Sequence, residues 1–285
     1  MADASHFANW FFGFVFTATA STIVSGAVAE RCDLTAYFVY SSVISAFVYP
    51  VCSHWAWTSE GWLAVNGYYD FAGSGVVHHL GGVCAFMGAV FLGPRIGRFD
   101  KPGDTIPGHS VSLAALGAFI LMFGFFSFNG ATNASISTEE DRNIVGRAVI
   151  NTVIGGSSSG LSVLLVYRFK GEPKKWSLLM TINGILAGMI STCAFCDAAE
   201  TWATFIVGFI AGFFYLFTHY AMIWFRIDDP LDAVAVHSGG GICGVLAAPF
   251  VIGKGGIFDD IDGKTAMHQV IFFWFLSLMI YLINY

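Results

Sequence analysis

Residues 70–82 read DFAGSGVVHHLGG. An acid is followed by small residues and then by an apolar run that carries His78, eight positions on. Residues 229–241 read DPLDAVAVHSGGG, and His237 again stands eight positions after Asp229. Glycines follow each histidine at three and four positions: Gly81 and Gly82, then Gly240 and Gly241. Eight helical residues rise about 12 Å, close to half of a hydrocarbon core of roughly 30 Å. Two such segments entering from opposite faces bring their histidines to one midplane. The spans between them decide whether they do.

The chain has 285 residues, 56% hydrophobic and only 11% charged, against about 25% charged in soluble domains. It therefore reads as an all-α integral membrane protein. Its 33 glycines fit close packing of membrane helices. The net charge of −6 says little about partners, and no basic stripe points to nucleic acid. The stretch 1–16 has no Lys or Arg and is not a secretory signal.

Nine apolar spans are expected, at 9–29, 35–52, 72–93, 109–128, 146–167, 176–195, 201–225, 231–252 and 267–285. Turn chemistry and charge separate them, and their lengths say helices. Of the 13 Lys and Arg, nine fall in the loops after spans one, three, five and seven. That bias makes those loops cytoplasmic and puts the N-terminus outside. Asp70 then opens span three from the outside and Asp229 opens span eight from the inside. Two spans five apart and opposite in direction are the trace of a five-plus-five inverted repeat, with its site at the midplane. Such a repeat needs two more helices before span one, so residues 1–285 read as one domain with an incomplete first half and an abrupt end at Tyr285.

His78 and His237 carry the strongest signal, because polar residues at mid-membrane are rare and usually functional. The bland alternative is two histidines bonded separately in the core. His79 points about 100° away, outside the pair. His54, His109 and His268 lie near span ends, and His219 reads as a packing or hydrogen-bonding residue. Asp70 and Asp229 suit capping, since a carboxylate accepts from free N–H groups where a helix begins; a buried Asp70 would also help hold a cation. Asp228 and Asp232 read as cytoplasmic caps or loop partners. Two histidines fall short of a transition-metal site, and no third ligand lies at matching depth, so neither metal nor cofactor is expected. Cys193 and Cys196 form a lone CxxC that reads as two buried or helix-end thiols. Trp57, Phe12, Phe16 and Phe128 lie toward the outer ends of their spans, where ring faces would suit a cation.

Six stretches in order resemble the ammonium transporter family (Amt, MEP and Rh proteins), on its Amt side. They are SGAVAER at 25–31, SHWAW…GW at 53–62, DFAGSGVVH at 70–78, GHS at 108–110, FGFFSFN at 123–129 and DDPLDAVAVH at 228–237. The resemblance implies two inverted five-helix halves plus one helix, a homotrimer with a pore in each subunit, and a chain starting at the family's third helix. It assigns outer ammonium binding to Trp57 and Thr132, the aromatic gate to Phe12 or Phe16 with Phe128, the twin pore histidines to His78 and His237, and the essential aspartate to Asp70. Thr132 replaces the usual serine, and Ser238 the usual glycine. The implied function is transport of ammonium or ammonia, with methylammonium as an analogue, across the plasma membrane. Rival readings are an Rh-type gas channel, an ammonium sensor on the same fold, and a membrane metalloenzyme built on the histidines.

Overall fold

The computed structural model describes residues 4–101, 103, 105–170, 176–253 and 270–271, and every regular element among them is helical. The α-helices are α1 (Ala4–Ala27), α2 (Leu34–Val43), α3 (Tyr49–Trp57), α4 (Trp62–Val65), α5 (Leu80–Leu92), α6 (Val111–Ala131), α7 (Glu139–Phe169), α8 (Leu178–Thr192), α9 (Thr201–Trp224) and α10 (Gly240–Val251). π-helical turns link some of them: Ile44–Val48 joins α2 to α3, Ser74–His79 leads into α5, and Val234–Gly239 leads into α10.

Seven stretches among the described residues are long and apolar enough to cross a membrane: Phe7–Ala27, Leu34–Val65, Ser74–Leu92, Val111–Ala131, Glu139–Phe169, Thr201–Trp224 and Val234–Val251. They account for seven of the nine expected spans, and the chain is an integral membrane protein. The span expected at 176–195 contains α8, only 15 residues long, because the chain leaves the helix at Thr192 for a turn. The span expected at 267–285 lies outside the described residues, except that 270 and 271 are helical.

Local sequence explains the helix ends and irregularities. Pro50 has no N–H to donate to the preceding turn, and the π turn Ile44–Val48 lies just before it. Thr138 and Asp141 form a capping box at the start of α7, with three acids in its first turn. Small residues let α7 meet α8 and α9: Ser159 donates to the Gly184 carbonyl at 2.6 Å, and Asn151 reaches the carbonyls of Cys196 and Ala199. The buried CxxC lies in the turn after α8. The carbonyls of Cys193 and Ala194 accept from Ala72 and Phe71, so this turn supports the segment leading to His78.

The two π turns that precede α5 and α10 cross at the centre. A Cβ on Gly82 would lie 2.5 Å from the Ser238 nitrogen, and one on Gly241 would lie 2.5 Å from the Ser74 carbonyl oxygen. As one chain runs from Ser74 to Gly82 the other therefore runs from Gly241 back to Ser238, which makes the segments antiparallel, as the repeat requires.

At the end of the bundle that holds Arg95 and Asp228, charged groups join the halves. The Asp228 carboxylate takes the Arg95 backbone N–H at 3.0 Å and its guanidinium at 2.8 and 3.1 Å. Arg95 also pairs with Glu30, and Arg31 donates to the Asp228 carbonyl at 2.6 Å. Burial alone would raise the Asp228 carboxyl, but the hydrogen bonds from Arg95 outweigh it and hold the group below its ordinary range.

Candidate functional site

His78 and His237 meet. Their Nδ1 atoms are 3.1 Å apart, and their rings lie 5.3 Å between centroids at 21°. One Nδ1–H can donate to the other Nδ1 lone pair, so the two rings can share a single proton. His78 is 1% exposed, and its buried Nε2 has no hydrogen-bond partner among the described residues. His237 keeps partial exposure. His79 turns away and bonds the Ser238 hydroxyl at 3.0 Å, outside the pair as its helical position predicts. Gly82 makes room for the Ser238 hydroxymethyl.

The helix carrying His78 does not begin at Asp70, a correction to the expected eight-residue helical rise. Residues 70–73 form a turn that ends at Gly73 in the left-handed region, φ 99°, which glycine adopts without a Cβ clash. The Asp70 carboxylate reaches past this turn. Its Oδ1 accepts from the N–H groups of Gly73 (3.1 Å) and Ser74 (2.8 Å), and its Oδ2 from Gly75 (2.9 Å) and Val76 (3.0 Å). The Tyr68 hydroxyl donates to Oδ2 at 3.2 Å. The His78 N–H then donates to the Gly73 carbonyl, five residues back, the π-helical spacing. Asp229 repeats the pattern, accepting from Ala233 at 2.9 Å and Val234 at 2.7 Å. The histidines still meet because the segments cross at the π turns and not because each is eight helical residues deep.

Rings line the approach. Phe128 stacks on Phe16 with centroids 4.0 Å apart at 17°, and Phe16 stacks on Phe12 at 4.2 Å. The Trp57 edge meets Phe16 at 6.0 Å, and Phe128 lies 5.5 Å from the His78 ring. Of the two candidates on α1, Phe16 therefore opposes Phe128, with Phe12 one turn beyond. Phe125 stacks on His78 at 5.4 Å. It stands in the quoted FGFFSFN stretch but escaped notice, since nothing in a Phe-rich helix marks which ring faces inward.

Trp57 and Thr132 bond to different groups. The Trp57 Nε1–H donates to the Asp70 carbonyl at 2.6 Å, and the Thr132 hydroxyl donates to the Phe128 carbonyl at 2.8 Å. No direct bond between the two occurs among the described residues. Each is tied to another candidate residue: Trp57 to Asp70, Thr132 to Phe128. His219 has the bonding role expected of it, with Nδ1 2.7 Å from Asp232 Oδ1.

The residues 1–283 match the family model of the Ammonium Transporter Family. A putative ammonium transporter 1 from Caenorhabditis elegans is 49% identical over 269 residues, which cover 90% of this chain and 50% of that protein. Among solved structures, a sensor Amt protein superposes with a TM-score of 0.84 at 31% identity, over 95% of this chain and 69% of the other. Mep2 from Candida albicans gives a TM-score of 0.84 at 25% identity, over 94% and 60%. The chain spans about half the length of the curated relative from C. elegans. With the family model matched along nearly its whole length, and with the fold of solved Amt and Mep2 proteins, the chain belongs to the ammonium transporter family.

Proposed function

We propose that residues 1–285 belong to the pore-forming domain of an ammonium transporter, with a transport role and not an enzymatic one. The observation that carries this reading is the histidine pair, buried where two antiparallel segments cross and reached along stacked aromatic rings. A cation at the bilayer centre costs from about 2.5 to over 10 kcal/mol. A dry pore behind Phe16 and Phe128 therefore rejects bare Na⁺ and K⁺. Ammonium escapes that cost by leaving a proton behind.

In this reading ammonium is recruited near Trp57, Thr132 and the outer rings, where cation–π attraction supplies about 0.5–2 kcal/mol per ring. Asp70 holds the π turn that presents His78. Ammonia then passes the paired imidazoles, and the His78 Nε2 lone pair accepts a hydrogen bond from it while Nδ1 shares a proton with His237. The protein works as a homotrimer in the plasma membrane, with its N-terminus outside, and accepts methylammonium as an analogue.

The test is uptake and current measured together on purified protein in liposomes. Saturable ammonium and methylammonium uptake that excludes K⁺ is expected, and Trp57→Leu should raise half-saturation more than Trp55→Leu. Binding without uptake, or equal K⁺ passage, would overturn the reading.

A further inference from the structure

The segments leading to His78 and His237 correspond at a fixed interval of 159 residues, the separation of the two histidines. At that interval Asp232 takes the place of Gly73. Both residues have positive φ, 99° at Gly73 and 57° at Asp232. Glycine takes this conformation freely, whereas a residue with a Cβ is strained there by about 1–2 kcal/mol. The inner segment keeps a carboxylate where a glycine would serve the backbone better.

That carboxylate is held from two neighbouring helices. On α9, His219 Nδ1 lies 2.7 Å from Oδ1 and the Tyr215 hydroxyl donates to Oδ2 at 2.8 Å. On α8, Asn183 Nδ2 donates to Oδ2 at 3.1 Å. The arrangement fixes the His219 ring with Nδ1 on the carboxylate and leaves Nε2 as the exchangeable nitrogen. The side chains are 17% exposed at His219 and 15% at Asp232, so the dyad is not sealed in the core. Asp232 precedes His237 by five residues, on the Asp229 side of the π turn that carries His237.

We infer that Asp232 and His219 form a proton station on the inner side of the pore, which takes a proton from the histidine pair and returns it to ammonia. The inference rests on the transport reading above. The proton left by ammonium on the outer side is carried by the His78–His237 pair and passes, by way of water between the partly exposed His237 and His219, to His219 Nε2. Asp232 stabilises the resulting imidazolium. The Nε2–H bond then breaks as the ammonia lone pair takes the proton, ammonium leaves toward the cytoplasm, and His219 returns to the neutral state. One proton and one ammonia cross together, which amounts to one positive charge per substrate. The other groups around the dyad are Asp229 on its own segment, Tyr215 and Tyr220 on α9, and Tyr167 on α7, with Lys170 over the Tyr220 ring. Asp228 is engaged by Arg95.

The discriminating variant is Asp232→Gly, which installs the residue of the outer segment and relieves the strain. Uptake of labelled methylammonium and current are measured on the same liposomes of purified protein, across about pH 5 to 8. Asp232→Gly relieves the backbone strain but leaves Tyr215 and Asn183 without this acceptor, so the comparison is made per assembled protein, where the current should fall about tenfold or more. Uptake should fall less, so that charge per methylammonium drops and its pH dependence flattens. His219→Gln should reproduce this. A wild-type charge ratio and pH profile in both variants overturns the inference, as does a loss of uptake and current in equal proportion, which marks a structural role. Electroneutral wild-type uptake overturns it too, while leaving the transport reading intact. No wild-type uptake at all overturns the transport reading itself.

Discussion

The segment to His78 and the segment to His237, outer and inner in the proposed orientation, share a backbone plan and differ in what surrounds it. In both, an aspartate eight residues before the histidine accepts from the N–H groups four and five positions ahead of it. Around the outer segment the partners are aromatic: Trp57 donates to the Asp70 carbonyl, and Phe125 and Phe128 flank a sealed His78. Around the inner one they are charged: Arg31 donates to the Asp228 carbonyl, Arg95 clasps its carboxylate, and Asp232 pairs with His219. The repeated part delivers two histidines to one point. The unrepeated part makes the surroundings of His78 aromatic and those of the His237 segment ionic.

The comparison can be broken hardest at the caps. Asp70→Ala strands four N–H groups in a site that is 4% exposed and removes an acceptor of the Tyr68 hydroxyl. Unmet buried donors cost about 1–3 kcal/mol each, so assembled protein should be lost or thermal unfolding in detergent should fall steeply. Asp229→Ala should cost less. Near-wild-type unfolding of Asp70→Ala would remove the cap from the account.

A smaller effect tests the symmetry itself. Gly82→Ala and Gly241→Ala each push a methyl against the opposing backbone, at Ser238 and Ser74. Overpacking of this kind costs about 1–3 kcal/mol. The two losses should be similar, and a large inequality in unfolding temperature would show that the crossing is not symmetric.

The smallest effect concerns the inner clamp. Because the Asp228 carboxyl is held below its ordinary range, its contribution is complete above the unfolded value of about 3.9. It is lost as pH falls through the lower folded value. Unfolding of the wild type should gain acid sensitivity in that window relative to Asp228→Asn; the same acid profile in both would sever the clamp from stability.

Much of this was legible beforehand, for reasons of physics. Span lengths follow from bilayer thickness, and convergence of His78 and His237 from two aspartates on oppositely directed spans. The placement of His79 outside the pair followed from helical angle alone. The π turns were not legible, because i→i−5 bonding depends on where carboxylates and neighbouring helices capture N–H groups. Nor was the choice of Phe16 over Phe12, since residues four apart share a face and depth decides. The Arg95–Asp228 clasp joins residues 133 apart in the chain, a distance at which local pattern carries no signal. The part played by Asp232 emerges only when its φ is set beside that of Gly73.

Nitrogen-15 NMR of the imidazoles, recorded on histidine-labelled protein in bilayers, tests the central claim most directly. The account predicts one Nδ1 carrying hydrogen and one bearing a lone pair, joined by a coupling across the hydrogen bond that vanishes in both His78→Ala and His237→Ala. Two uncoupled imidazoles, each unaffected by removal of the other, would contradict a shared proton at the centre of the pore.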